Sequence, residues 1–237
     1  MGTTYHNKPI VTDGLAFYTD PANKESYPGS GTNIDSLTST VTGSLTNDAS
    51  FENVNGGCIT YDGTGDCTIL TVTPDELLGT NSNFSIVMWL RSDTTPNFTT
   101  PIGTFYSGKR WYFGWGNVTS NDAQYYWAGI QGSSGVYVAK NNGFQFDNTW
   151  QMLTYTWTTD GDLKVYVNST FENENTSAPT SWGVSPYKIF LGAKGQNSNT
   201  ASSGNFNGEM GPTMVYNKAL SASEIMQNYN ALKNRFI

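Results

Sequence analysis

The sequence predicts an all-β fold, an antiparallel sandwich closed by one C-terminal α-helix. Three observations predict it. Apolar residues alternate with period two along much of the chain, Gly/Asn/Asp turns separate the alternating runs, and the composition lacks what a helical protein needs. Of 237 residues, 14% are aromatic and 25 are Gly, whereas only 13% are charged; a typical domain is about a quarter charged. Helix bundles and coiled coils are therefore disfavoured. A hydrophobic content of 37% argues against disorder and supports one domain over residues 1–237.

The elements follow in order. Ile59 to Asp66 reads as a hairpin turning at Asp62-Gly63-Thr64-Gly65-Asp66, flanked by Cys58 and Cys67. Those two cysteines could then face each other, although reduced thiols are the expected state. Phe84 to Arg91 places Phe84, Ile86, Met88 and Leu90 on one face. Trp111, Phe113 and Trp115 share a face in the next run. Gln151–Trp157 and Leu163–Val167 alternate about an Asp160-Gly161-Asp162 turn. Lys188–Leu191 and Pro212–Tyr216 supply two more strands. The Asn/Thr/Ser stretches 92–100, 168–181 and 195–207 are expected as exposed loops.

The one helix is expected over 221–235. Ser221-Ala222-Ser223-Glu224 forms a capping box, in which the Ser221 hydroxyl accepts from the N–H of residue 224 and Glu224 reaches back. Ile225, Tyr229 and Leu232 then make an apolar stripe that should pack on the sandwich, with Lys233 and Arg235 at the end that favours cations.

Several of these motifs, taken in order, resemble the laminin-G-like or concanavalin-A-like jelly roll, including its pentraxin branch. Trp150 through Trp157, the 160–162 turn and Leu163 to Asn168 are similar to the family's "W…TW…G…VYVNG" hairpin, with Ser169 where the family closes on Gly. Phe84–Arg91, Ile189–Gly192, Phe206–Pro212, Val215–Ser221 and Ile59–Asp66 resemble its other signatures. A narrower likeness covers Gly14 to Thr32 and Leu220 to Phe236, which resemble laminin-G-like proteins of tailed bacteriophages. This second resemblance implies a virion structural protein on the capsid or tail exterior.

Catalytic chemistry finds little to stand on. The single histidine, His6, sits in an N-terminal segment with no partner group in view, and a nucleophile–base system needs its base oriented by a third residue. Zinc would need about four N/S ligands, and the chain has three such residues in all. Glucanases of this jelly roll need paired carboxylates on one face. Glu172 and Glu174 have that spacing, but lie in a hydrophilic stretch expected as a solvated loop. No catalytic residue is assigned, and the chain is expected to be non-enzymatic. Calcium could use Asp62 and Asp66, although turn formation accounts for both. The loop Gly192–Asn197, acid-rich in the pentraxin branch, here carries no acid. Apart from that calcium option, no cofactor is expected.

The aromatic surplus gives the sharpest binding expectation. Trp111, Tyr112 and Trp115 with Tyr125, Tyr126 and Trp127 lie on two segments expected to pair, and sugars stack their C–H faces on such rings. The competing reading buries alternate members; for Trp89, Trp150 and Trp157 the core reading is adopted. The sequence pI of about 4.6 opposes a nucleic-acid partner. The longest apolar run, Ile86–Leu90, is far below the ~20 residues of a membrane span. The start of the chain shows no secretory pattern, so synthesis in a host cytoplasm and assembly into a virion are expected. Expected partners are other virion proteins and a host-surface polysaccharide, with self-association left open. The rivals are a polysaccharide depolymerase and a free bacterial lectin or adhesin.

Overall fold

The computed structural model describes residues 8–80, 82–92, 99–107, 109–117, 124–130, 136–139, 148–182, 185–196 and 199–237. Side chains at 109, 117, 124, 125, 136–139, 196 and 201–203 lie outside the description. In chain order the strands begin β1 (Leu15–Thr19), β2 (Asn33–Asp35), β3 (Thr42–Thr46), β4 (Ser50–Glu52), β5 (Cys58–Asp62) and β6 (Cys67–Leu70). After helix α1 (Pro74–Leu78) come β7 (Phe84–Arg91), β8 (Thr99–Tyr106), β9 (Lys109–Asn117), β10 (Gln124–Ile130) and β11 (Val136–Ala139). The last are β12 (Gln151–Trp157), β13 (Leu163–Val167), β14 (Thr170–Asn175), β15 (Phe190–Leu191), β16 (Lys194–Gln196), β17 (Ala201–Ser203) and β18 (Asn207–Tyr216). Helix α2 (Ala222–Leu232) and a 3-10 turn (Lys233–Arg235) end the fold.

These strands form two sheets. The first runs β14–β13–β12–β7–β18–β5–β4, with β1 beside the second half of β18. The second runs β11–β10–β9–β8–β15–β6–β3–β2, with β16 and β17 attached at β8. Pairing is antiparallel except for the short β8–β16 contact. The expected all-β sandwich is therefore what forms.

The core lies where the inner faces meet. Phe84, Ile86, Met88 and Leu90 pack with Leu153, Tyr155 and Trp157 against Trp111, Phe113 and Trp115 of β9 and Tyr126, Ala128 and Ile130 of β10. Phe84 stacks on Trp157 at 5.3 Å and meets Phe113 edge-on at 5.5 Å. The period-two reading holds for all these strands.

A second apolar cluster covers the opposite face of the first sheet. Val87, Trp89, Met152, Met214 and Tyr216 face outward there and are buried beneath Ile225, Leu220 and Phe236. Strand β7 is thus covered on both sides, which explains its unbroken apolar run Ile86–Leu90. The capping box forms as expected: Ser221 Oγ accepts from Glu224 N at 3.3 Å, and Ser221 N donates to Glu224 Oε2 at 2.8 Å. Asn228, fully buried, interrupts the apolar stripe of α2. Its Oδ1 accepts from Val11 N, and its Nδ2 donates to Tyr216 Oη, which itself donates to Val11 O. At the end of the helix Arg235 donates both to Asp20 and to the carbonyls of Asn55 and Gly57, tying the C-terminal turn to the first strand.

Three sequence expectations change. Residues 62–66 do not close a hairpin, because β5 belongs to the first sheet and β6 to the second. The turn crosses between sheets, so Cys58 and Cys67 do not oppose each other, and both are buried and outside any disulfide. Burial pushes the Cys58 thiol up to about 11. Within 168–181, residues 170–175 form edge strand β14, and within 195–207 short strands β16 and β17 occur. Charged or polar edge strands carry little apolar alternation, so their pattern looks like a loop. The expectation of a single helix also changes: α1 starts at a complete capping box of Thr73 and Glu76 with Pro74 in the first turn.

Candidate functional site

The aromatic segments do pair, as β9 with β10, in the register Trp115↔Tyr126 and Gly114↔Trp127. That pairing sorts their rings onto two faces. Trp111, Trp115 and Tyr126 point into the sandwich and are 1%, 3% and 1% exposed. Tyr112 and Trp127 lie on the opposite face, edge to face at 5.2 Å, and are also buried. The Tyr112 ring packs across Gly129, where even a Cβ would come within 2.3 Å of its Cζ. Lys194 Nζ stands 4.6 Å from the same ring centre, and burial together with Arg110 holds the Lys194 ammonium down to about 8. The Tyr125 side chain lies outside the described residues. As placed, the other five rings offer no exposed stacking face.

The acidic candidates act within turns. Asp66 is 2% exposed, and its Oδ1 accepts from Asp48 N while its Oδ2 accepts from Asp62 N. Asp62 Oδ1 accepts from Thr64 N at 2.6 Å. Backbone amides thus occupy oxygens that calcium would need. No group of three metal-ligating side chains occurs among the described residues. Glu174 faces Lys164 across the edge pair, with 3.6 Å between charges. A register shift opposite Val165 and Tyr166 breaks the simple i, i+2 alignment with Glu172. His6 lies outside the described residues.

Among the described residues, an open concavity with aromatic and amide lining lies elsewhere. An open depression of about 440 Å³ is lined by Arg91, Asn148, Thr149, Trp150, Asn168, Phe236 and Ile237. Its walls come from the ends of β7 and β12, the turn between β13 and β14, and the residues after the 3-10 turn. Trp150 packs against Phe236, 4.7 Å away, and the Arg91 guanidinium lies 5.9 Å from its ring centre. Phe236 in turn stacks on Trp89 at 4.4 Å, so the aromatic side is continuous with the cluster under α2. Trp150 is 6% exposed, and therefore contributes an edge rather than an open face.

The polar rim is held just as firmly. Arg91 is paired through two nitrogens with both carboxylate oxygens of Glu209, its register partner on β18. Gly208 makes that approach feasible, since a Cβ there would meet Arg91 O at 2.1 Å. Asn148 and Asn168 both adopt positive φ, 64° and 49°, a region Asn tolerates better than most residues. Asn148 N donates to Ser92 O, which fixes the backbone before Trp150. Asn168 bridges Met152 twice, donating its N to the carbonyl and accepting from the N–H at Oδ1, each at 2.9 Å. From the sequence, Trp150 is a core residue and Asn168 the end of a family hairpin. Neither Arg91 nor Asn148 carries a signal, because the depression joins positions far apart in the chain.

Two facing antiparallel sheets under a C-terminal helix define a lectin-like β-sandwich. The chain belongs to the concanavalin A-like lectin/glucanases superfamily: the Laminin_G_3 family model matches residues 62–226. Solved structures agree on the fold. Domain 4 of AbnA, an extracellular arabinanase of Geobacillus stearothermophilus, in complex with arabinotriose, is similar with a TM-score of 0.70 at 16% identity, covering 91% of this chain and 98% of that one. Trypanosoma rangeli sialidase with the inhibitor DANA gives 0.66 at 16% identity, over 96% of this chain and 34% of the sialidase. The binding domain of botulinum neurotoxin DC in complex with SialylT gives 0.67 at 14% identity, over 93% and 52%. The chain thus spans about a third of the sialidase and half of the neurotoxin domain. No curated protein sequence matches it.

Proposed function

We propose that the protein is a non-catalytic glycan-binding domain displayed on the exterior of a bacteriophage particle. The observation that carries the glycan part is the depression beside Trp150: a fixed aromatic side, a carboxylate-paired guanidinium and an amide-rich rim, on a lectin-like domain. Carbohydrate sites combine such apolar walls with a few placed polar groups. The match to a whole domain solved with arabinotriose supports the same reading. The virion part rests on the resemblance of residues 14–32 and 220–236 to laminin-G-like phage proteins.

Two experiments test the parts separately. Incubating the purified chain with the polysaccharides it retains should yield bound complex and no new reducing ends. Turnover would instead assign it to depolymerases. Mass spectrometry of purified particles should find the chain among their stoichiometric components; its absence there would remove the virion role.

A further inference from the structure

Asn168 and Arg91 set the hydrogen-bonding character of the depression. The atom of its side-chain amide facing Met152 accepts a backbone N–H, so it must be the oxygen, and this fixes the flip of the amide. Among the described residues Nδ2 then makes no hydrogen bond, in a side chain that is only half-buried and lines the depression. It is a pre-oriented donor, because its oxygen is already committed. Among the described lining residues the one charged side chain, Arg91, places two nitrogens on Glu209, whose side chain is 19% exposed. The other described lining side chains are neutral: two amides, a hydroxyl, an indole edge, a phenyl ring and an aliphatic chain.

Resting on the glycan-binding reading above, we infer that this depression binds an uncharged sugar residue, with Asn168 Nδ2 donating to a ring or hydroxyl oxygen and setting the orientation. An acidic sugar would have to compete with Glu209 for Arg91 and to desolvate its carboxylate without a dedicated partner. A neutral sugar needs only donors, acceptors and the apolar edges of Trp150 and Phe236.

The test uses Asn168→Asp, which keeps the oxygen for Met152 N, tolerates the same positive φ and removes the donor. Full-length chain and variant are applied to a printed array of neutral arabinan, galactan, mannan and glucan fragments beside oligogalacturonates and sialyllactose. The unaltered chain should bind neutral spots, and Asn168→Asp should bind those same spots roughly tenfold more weakly with an unchanged melting temperature, as loss of one hydrogen bond implies. Undiminished binding by the variant overturns the inference while leaving glycan binding intact. So does selective binding of the acidic spots by the unaltered chain, a reading that stands even if the variant does not fold. A blank array for the unaltered chain overturns both readings together.

Discussion

The paired strands β9 and β10 and the depression beside Trp150 both carry aromatic residues, yet they use them in opposite ways. On β9 and β10 the rings are spent on packing: Trp111, Trp115 and Tyr126 fill the space between sheets, and Tyr112 and Trp127 cover each other on the far face. At the depression a single Trp, in contact with Phe236 and near Arg91, supplies one wall of an open space rimmed by amides. The difference teaches that a cluster of aromatics in sequence measures how much a sandwich must bury. The site proposed beside Trp150 draws on fewer rings, brought together from distant segments.

Substitutions can break this contrast, and the largest effect belongs to the buried side. Trp111→Ala should cost about 3–5 kcal/mol, the usual range for deleting a core indole, read as a lower denaturant midpoint. Glycan affinity of the molecules that remain folded should be unchanged. If affinity falls while stability does not, β9 is a binding surface after all.

Next comes Lys194, whose ammonium is disfavoured by burial and by Arg110. Its folded value of about 8 lies below the ordinary lysine value of 10.5, so the unfolded chain holds the proton more tightly. The resulting deficit is complete below pH 8 and is relieved as pH rises from 8 to 10.5. Lys194→Met should therefore gain stability relative to the unaltered chain near pH 7, by on the order of 2–3 kcal/mol, and lose that advantage by pH 10.5. Parallel stability curves for the two chains across that window would contradict the placement of Lys194.

The depression should respond in affinity rather than stability. Asn148→Gly removes a rim amide while accommodating its positive φ, so glycan binding should weaken up to about tenfold with the melting temperature held within a degree or two. The smallest effect is expected at Ser169, which sits at φ 66° after Asn168 in the turn joining β13 to β14. Ser169→Gly should relieve about 1 kcal/mol of left-handed strain without altering affinity. A change in binding there would mean that the turn itself contacts the sugar.

Much of the fold was legible in the sequence because its signals are local. Alternation at Phe84–Leu90 and Trp111–Trp115 gave the inner faces, and Ser221 with Glu224 gave the start of the last helix. What stayed hidden depends on contacts across the chain. The Asp62–Asp66 turn reads the same whether it closes a hairpin or crosses between sheets; only the partners of β5 and β6 decide. Edge strand β14 hides because it has a solvent-facing, charged pattern. The depression was illegible for the same reason, since Arg91, Asn148, Asn168 and Phe236 meet only after four segments converge.

On the proposed reading, sugar meets this protein at Trp150 and not at the β9–β10 aromatics. Seven tryptophans give seven indole N–H resonances, and a titration with a neutral oligosaccharide retained by the array would report on each. The indole of Trp150 should shift progressively and saturably while those of Trp111, Trp115 and Trp127 stay in place. Movement of Trp115 or Trp127 with Trp150 unperturbed would contradict the claim and return the binding site to the aromatic strands.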